Sequence, residues 1–152
     1  MGFEAFYRTS WAPLYRPLTA TLGDSDLAAD AVDEAMARAF ARWQLVRETD
    51  NAEGWVYRVA LNWALDRLRR RSRERRLLPR LVPAAERGDP LVEPGLDPAL
   101  AALPIEQRAV VVLAVAFDWS HRQIADALGI RPGTVKSRLH RGLQRLREEL
   151  HT

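Results

Sequence analysis

Trp119-Ser-His-Arg-Gln-Ile-Ala-Asp-Ala-Leu-Gly-Ile-Arg-Pro-Gly-Thr-Val-Lys-Ser-Arg-Leu-His-Arg141 reads as two short helices joined by a tight turn. Ser120 followed three positions later by Gln123 is a capping box, which satisfies orphan amides at a helix start. Ile124, Ala125 and Leu128 recur at helical spacing, and Gly129 supplies the positive φ that ends the helix. Ile130 plugs the turn. Pro132 has the fixed φ and missing N–H that suit the first position of a second helix. That helix carries Val135, Leu139, Leu143 and Leu146 on one stripe. Thr134, Ser137 and Arg141 fall on the opposite face, flanked by Lys136 and His140. A helix with an apolar back and a short polar, basic front suits a DNA major groove. An ordinary hairpin with a solvated basic face lacks the ordered set of capping box, glycine turn, proline start and basic front. The stretch is therefore read as a helix-turn-helix.

Outward from it, proline and glycine divide the chain. Pro79, Pro83, Gly88, Pro90, Pro94, Gly95 and Pro98 interrupt any periodicity and mark a linker. No alternating run of convincing length lies on either side, so the chain is predicted to be all-α. Two small helical domains are expected, residues 1–76 and 98–152, connected flexibly when free by a linker at 77–97. In the first, Phe3 to about Leu22 reads as a helix that Pro13 and Pro17 break or kink. A second starts near Asp24–Asp26, with Val32, Met36, Ala39, Phe40 and Trp43 as its buried stripe and Asp30, Glu34, Ala37 and Arg38 outward. A third runs from Asn51 past Arg71; its apolar cover up to Leu68 marks it as central, and its arginine-rich end must emerge into solvent. In the second domain a short helix from Asp97–Pro98 to Leu103 precedes one opened by Pro104 and reaching Val115 or Phe117.

Charge is uneven. The net charge is only +3, yet 66–80 holds eight arginines against two acids, and 23–50 holds seven acids against three arginines. Such asymmetry points to two different charged partners, one anionic and one basic. Lys136 is the only lysine among 23 basic residues, so arginine by itself is no sign of phosphate binding. Cysteine is absent, which excludes a disulfide scaffold, a cysteine zinc site and a thiol nucleophile. No signal peptide is read at the N-terminus, and no apolar run approaches the roughly twenty residues that span a bilayer. His121, His140 and His151 have no carboxylate or second histidine at metal-ligand spacing, and no glycine loop resembles a phosphate cradle. Asp30, Asp33 and Glu34 are better read as an acidic helix face than as a catalytic cluster. No catalytic residue, metal or cofactor is expected. Arg69, Arg70 and Arg71 suit backbone phosphates. Trp63 is assigned to the core, while Trp55 and Tyr57 are open to either core packing or base stacking.

Together, Asp30-Ala-Val-Asp-Glu34, Gly54-Trp-Val-Tyr-Arg-Val-Ala-Leu-Asn62 with Asp66 and Arg69–Arg71, Leu103-Pro-Ile-Glu-Gln-Arg108 and Gly133-Thr-Val-Lys-Ser-Arg-Leu-His-Arg141 resemble an extracytoplasmic-function sigma factor of the bacterial sigma-70 family. The resemblance covers nearly the whole chain. It implies a first domain of three to four helices (region 2) that binds the β′ clamp helices of RNA polymerase core and melts the −10 element. It implies a second (region 4) that reads the −35 element as duplex and touches the β flap. Asp30, Asp33, Glu34 and Arg38 then fall on the polymerase-binding helix, where Asp33 replaces a more usual glutamine and Ala31 a larger apolar residue. Arg47–Asn51 occupies the loop that captures a flipped −10 base, with Trp55, Arg58 and Asn62 beside it and Arg69–Arg71 on phosphate. Thr134, Lys136, Ser137, His140 and Arg141 match positions that meet −35 DNA. The partners so implied are core polymerase, promoter DNA and an anti-sigma protein, in the cytoplasm. A stand-alone helix-turn-helix regulator is the competing reading, but it needs neither the acidic helix nor the Trp55–Arg76 helix.

Overall fold

The computed structural model describes residues 2–76 and 97–151. Its elements are α1 (Phe3–Leu22), α2 (Ser25–Ala41), α3 (Trp43–Arg47), α4 (Ala52–Arg76), α5 (Pro98–Ala101), α6 (Ile105–Val111, continued by one π turn over Val112–Ala116), α7 (His121–Leu128) and α8 (Pro132–Leu150). No strand occurs among the described residues. The linker expected at 77–97 lies, apart from Asp97, outside them.

Local signals set most boundaries. Asp24 accepts the Leu27 N–H at 3.0 Å and starts α2. Asn51 does the same for α4 by accepting from Gly54 N–H at 2.8 Å. Ser120 and Gln123 form the reciprocal capping box of α7, at 3.1 and 2.8 Å, and Gly129 closes that helix at φ 68°. Pro132 opens α8.

The break expected in α1 is absent: one helix runs through Pro13 and Pro17. Phe6, Ser10, Leu14, Leu18 and Leu22 lie four residues apart along its buried face. Packing of that ridge outweighs the ladder bonds that the two prolines cannot donate. α2 presents Ala28, Ala31, Ala35 and Ala39 with Val32 and Met36, and its small residues let it lie close against α4. α4 is central, touching α1, α2, α3 and α7 along Tyr57, Leu61, Ala64 and Leu68. Phe40, expected in the core stripe of α2, is 66% exposed. It sits at the edge of that stripe, where its ring meets Phe3 edge-on at 5.1 Å instead of entering the core.

The two halves are not separate. Ile124, Ala125, Ala127 and Val135 belong to the same buried cluster as Leu14, Met36, Val56 and Leu68. α7 lies on α4, and α6 with its π turn lies on α1. Tyr57 and Trp119 meet with ring centroids 5.5 Å apart. Arg108, only 3% exposed, donates to the carbonyls of Leu100, Ala101 and Leu103 around the α5–α6 turn, and at 3.0 Å to that of Thr21 in α1. The two helical domains expected from the sequence thus pack against one another in this arrangement. What joins them is contact between residues far apart in sequence, which no local pattern encodes.

Gly142 shows how closely α8 approaches α6. A Cβ there would lie 2.6 Å from Val111 Cγ2, a β-branched side chain with little freedom to yield. Gly142→Leu is expected to lower stability by about 2 kcal/mol, despite the better helix propensity of leucine. Urea unfolding checks this; an unchanged midpoint contradicts the close approach.

Candidate nucleic-acid interface

Burial of Val135, with Leu139 and Leu143 half-buried, fixes which side of α8 faces inward. Lys136, His140 and Arg141 are exposed, and Thr134 and Ser137 are half-buried on its first turns. The Ser137 hydroxyl donates to the Thr134 carbonyl at 3.1 Å, leaving its lone pairs to accept. Arg141 also lines an open cleft of about 380 Å³ with Gln107, Gln144, Arg145, Glu148 and Glu149. Lys136, His140 and Arg141 thus project from a helix anchored behind, as a duplex reader requires.

The second candidate region surrounds the loop between α3 and α4. The sequence reading missed α3 itself, a single turn buried through Val46. Arg47 is exposed at its end, and Asn51 is half-buried with its carbonyl oxygen committed to capping α4. A Cβ on Gly54 would fall 2.6 Å from Asn51 Nδ2, so a larger residue there would displace the capping side chain. Thr49, Asp50, Asn51, Trp55 and Arg58 line one cleft of about 250 Å³. Trp55 is half-buried with access to that cleft, whereas Tyr57 is wholly buried and unavailable for stacking. Burial raises the Tyr57 hydroxyl above its ordinary range, opposed in part by Thr21, so the phenol stays neutral. Trp63 is only half-buried, with the Arg67 guanidinium 5.0 Å from its ring centroid. Asn62 is exposed and lines a smaller cleft that also touches Arg138, a residue the sequence reading passed over.

The arginine run is divided by its partners. Arg69 is exposed; Arg70 lies 3.2 Å from Asp66, and Arg71 reaches Asp24 at the start of α2 at 3.4 Å. Arg69, the exposed and only surface-paired Arg70, and the outer end of α4 therefore carry the accessible charge.

On the opposite sign, Asp30 is exposed without a partner among the described residues. Asp33 accepts from Trp11 Nε1 at 2.9 Å, and Glu34 pairs with Arg38 at 3.1 Å. Beyond this face the exposed Phe40, Tyr7 and Leu45 add apolar surface that periodicity had hidden. No group of histidine, cysteine and carboxylate side chains among the described residues is arranged to hold a metal ion. No helix among them is long and apolar enough to cross a membrane.

A basic helix-turn-helix, an aromatic loop cleft and an acidic helix in one chain are matched by comparison with known families. Residues 6–74 match Sigma-70 region 2 and residues 96–146 match Sigma-70, region 4. The chain belongs to the sigma-70 family. Its relatives place this sigma factor in the extracytoplasmic-function branch. It is 35% identical to the RNA polymerase sigma-E factor of Streptomyces antibioticus, over 100% of this chain and 86% of that protein. It is 36% identical to the ECF RNA polymerase sigma factor SigL of Mycobacterium tuberculosis, over 95% and 86% respectively. The sigma factor RpoE of Bartonella quintana, solved in complex with the anti-sigma factor NepR, shares the fold. The TM-score is 0.76 at 23% identity, covering 99% of this chain and 97% of that one.

Proposed function

We propose that this sigma factor, which directs RNA polymerase to promoters and initiates transcription, divides the work among three surfaces. Residues 98–152 read −35 duplex through α8, with Lys136 or Arg141 donating to guanine O6 and N7 and Ser137, Thr134 and His140 serving bases or backbone. Residues 1–76 take an unpaired −10 base in the cleft beside Arg47–Asn51 and Trp55, supported by Arg58 and Asn62. Arg69, with Arg70 and Arg71, lies along phosphate. The acidic face of α2 (Asp30, Asp33, Glu34, with Arg38) binds the β′ clamp helices, and the second half touches the β flap. The chain acts in the cytoplasm, without catalysis, metal or cofactor of its own. The complex of the structurally similar RpoE with NepR supports restraint by an anti-sigma protein. The observation that carries this reading is α8, locked from behind by Val135 and presenting Lys136, His140 and Arg141 outward.

A promoter library transcribed by reconstituted holoenzyme tests it. Lys136→Ala and Arg141→Ala are expected to change which −35 bases are preferred, because a bidentate base contact contributes about 1–3 kcal/mol of discrimination. Arg69→Ala combined with Arg70→Ala is expected to weaken promoters alike and flatten the salt dependence. The assignment fails if Arg141→Ala weakens every promoter equally while the arginine-run variant alters −35 preference.

A further inference from the structure

We propose that Trp11 of α1 is a positioning residue of the polymerase-binding face, holding the Asp33 carboxylate of α2 where a guanidinium of core polymerase meets it. This rests on the reading above that the acidic face of α2 binds core.

The three carboxylates on the outer side of α2 are not equivalent. Glu34 is partly neutralised by Arg38 one turn on, and Asp30 has no partner among the described residues. Asp33 alone of the three is tied to another helix: Trp11 Nε1 donates to its Oδ1 at 2.9 Å, across 22 positions of sequence. The indole is itself held. It is half-buried against the core and stacked on Tyr15 one turn further along α1, with ring centroids 4.8 Å and planes 23° apart. Leu14 and Leu18, buried on the inner side, fix the rotation of that helix. One oxygen of Asp33 is thus set by a rigid element. A carboxylate accepts on both oxygens, and Oδ2 makes no hydrogen bond to any described residue.

An exposed carboxylate ordinarily gives up rotamer freedom when it forms an ion pair, which is one reason such pairs are weak. Here that freedom is already restricted in the free chain, so binding does not have to supply the cost. Aspartate, standing where glutamine is more usual, gives the indole a charged acceptor and hence a stronger bond. The stacked rings beside it suit a guanidinium, whose planar face lies on an aromatic ring as Arg67 does over Trp63 at 5.0 Å.

Trp11→Phe keeps the ring and its stacking but has no N–H to donate, while Asp33→Asn keeps an acceptor without the charge. Each is expected to weaken binding of the full chain to core polymerase by about fivefold, and the pair together no more than the larger single loss, because the two act as one unit. Both are expected to flatten the salt dependence of binding alike, which a change in packing would not do. Asp33→Glu keeps the charge but shifts it by one methylene, and is expected to lose affinity too; it decides the matter if the thermal midpoint shows Trp11→Phe to be unfolded. A folded Trp11→Phe chain that binds as the parent does, losses that multiply, or an Asp33→Glu chain that binds undiminished overturns the role of Trp11. Failure of the face itself shows separately, as Asp30→Arg with Glu34→Arg leaving assembly intact; if only the role of Trp11 fails, that reversal still prevents assembly.

Discussion

Reversal of Asp30 and Glu34 to arginine is expected to abolish assembly with core polymerase. Asp30 is exposed and unpartnered among the described residues, and Glu34 shares its face, held only by the exposed pair with Arg38. An exposed pair of this spacing contributes about 0.3–0.5 kcal/mol, so removing it leaves α2 folded. Setting two arginines against a basic partner costs several kcal/mol, equivalent to about a hundredfold or more in affinity. Co-purification with core measures the outcome, and circular dichroism confirms the helices. Undiminished holoenzyme assembly would sink the placement of polymerase on this face.

The largest stability effect is expected at Arg108. Four carbonyl acceptors surround its guanidinium, and two of those bonds, to Thr21 and Leu103, are wholly buried. Arg108→Ala leaves these carbonyls without their donor inside the protein, where water does not replace it. Each buried acceptor so orphaned costs about 1–3 kcal/mol, and a total of at least about 3 kcal/mol is expected. For a chain of this length that corresponds to a fall in Tm of about 10 °C. Arg108→Lys keeps the charge but not the planar fork, and is expected to recover only part of the loss. Thermal unfolding checks both. An Arg108→Ala protein within about 0.5 kcal/mol of the parent contradicts the bridging role.

What the sequence disclosed follows from the reach of each signal. Asp24, Ser120 with Gln123, Gly129 and Pro132 act on backbone groups within four residues, and each stands where its local chemistry puts it. The apolar length of α4 likewise announced the central helix. Phe40 was misplaced because a stripe has edges. Ala39 beside it is buried, while its own ring meets Phe3 near the chain terminus. The α1 prolines misled for the opposite reason, since a tertiary ridge overrode a local preference. The π turn after Val111 left no signature of its own; it lengthens the path to Asp118, whose φ of 56° turns the chain into Trp119 and α7. In the candidate site, exposure of Lys136, His140 and Arg141 was readable from helix periodicity. The pairing of Arg71 with Asp24 and the capture of Arg58 by α7 were not, since each depends on a residue at least 47 positions away.

Both guanidinium groups that cross between the halves, Arg58 and Arg108, take main-chain oxygen as their acceptor. Every amino acid offers that oxygen, so neither contact demands a particular side chain at positions 21, 126 and 127; packing alone constrains the buried Thr21 and Ala127. The union of the halves is consequently written on one side only. A search for paired substitutions between the halves would pass over these two contacts in silence, and only the arginines themselves would carry a trace of them.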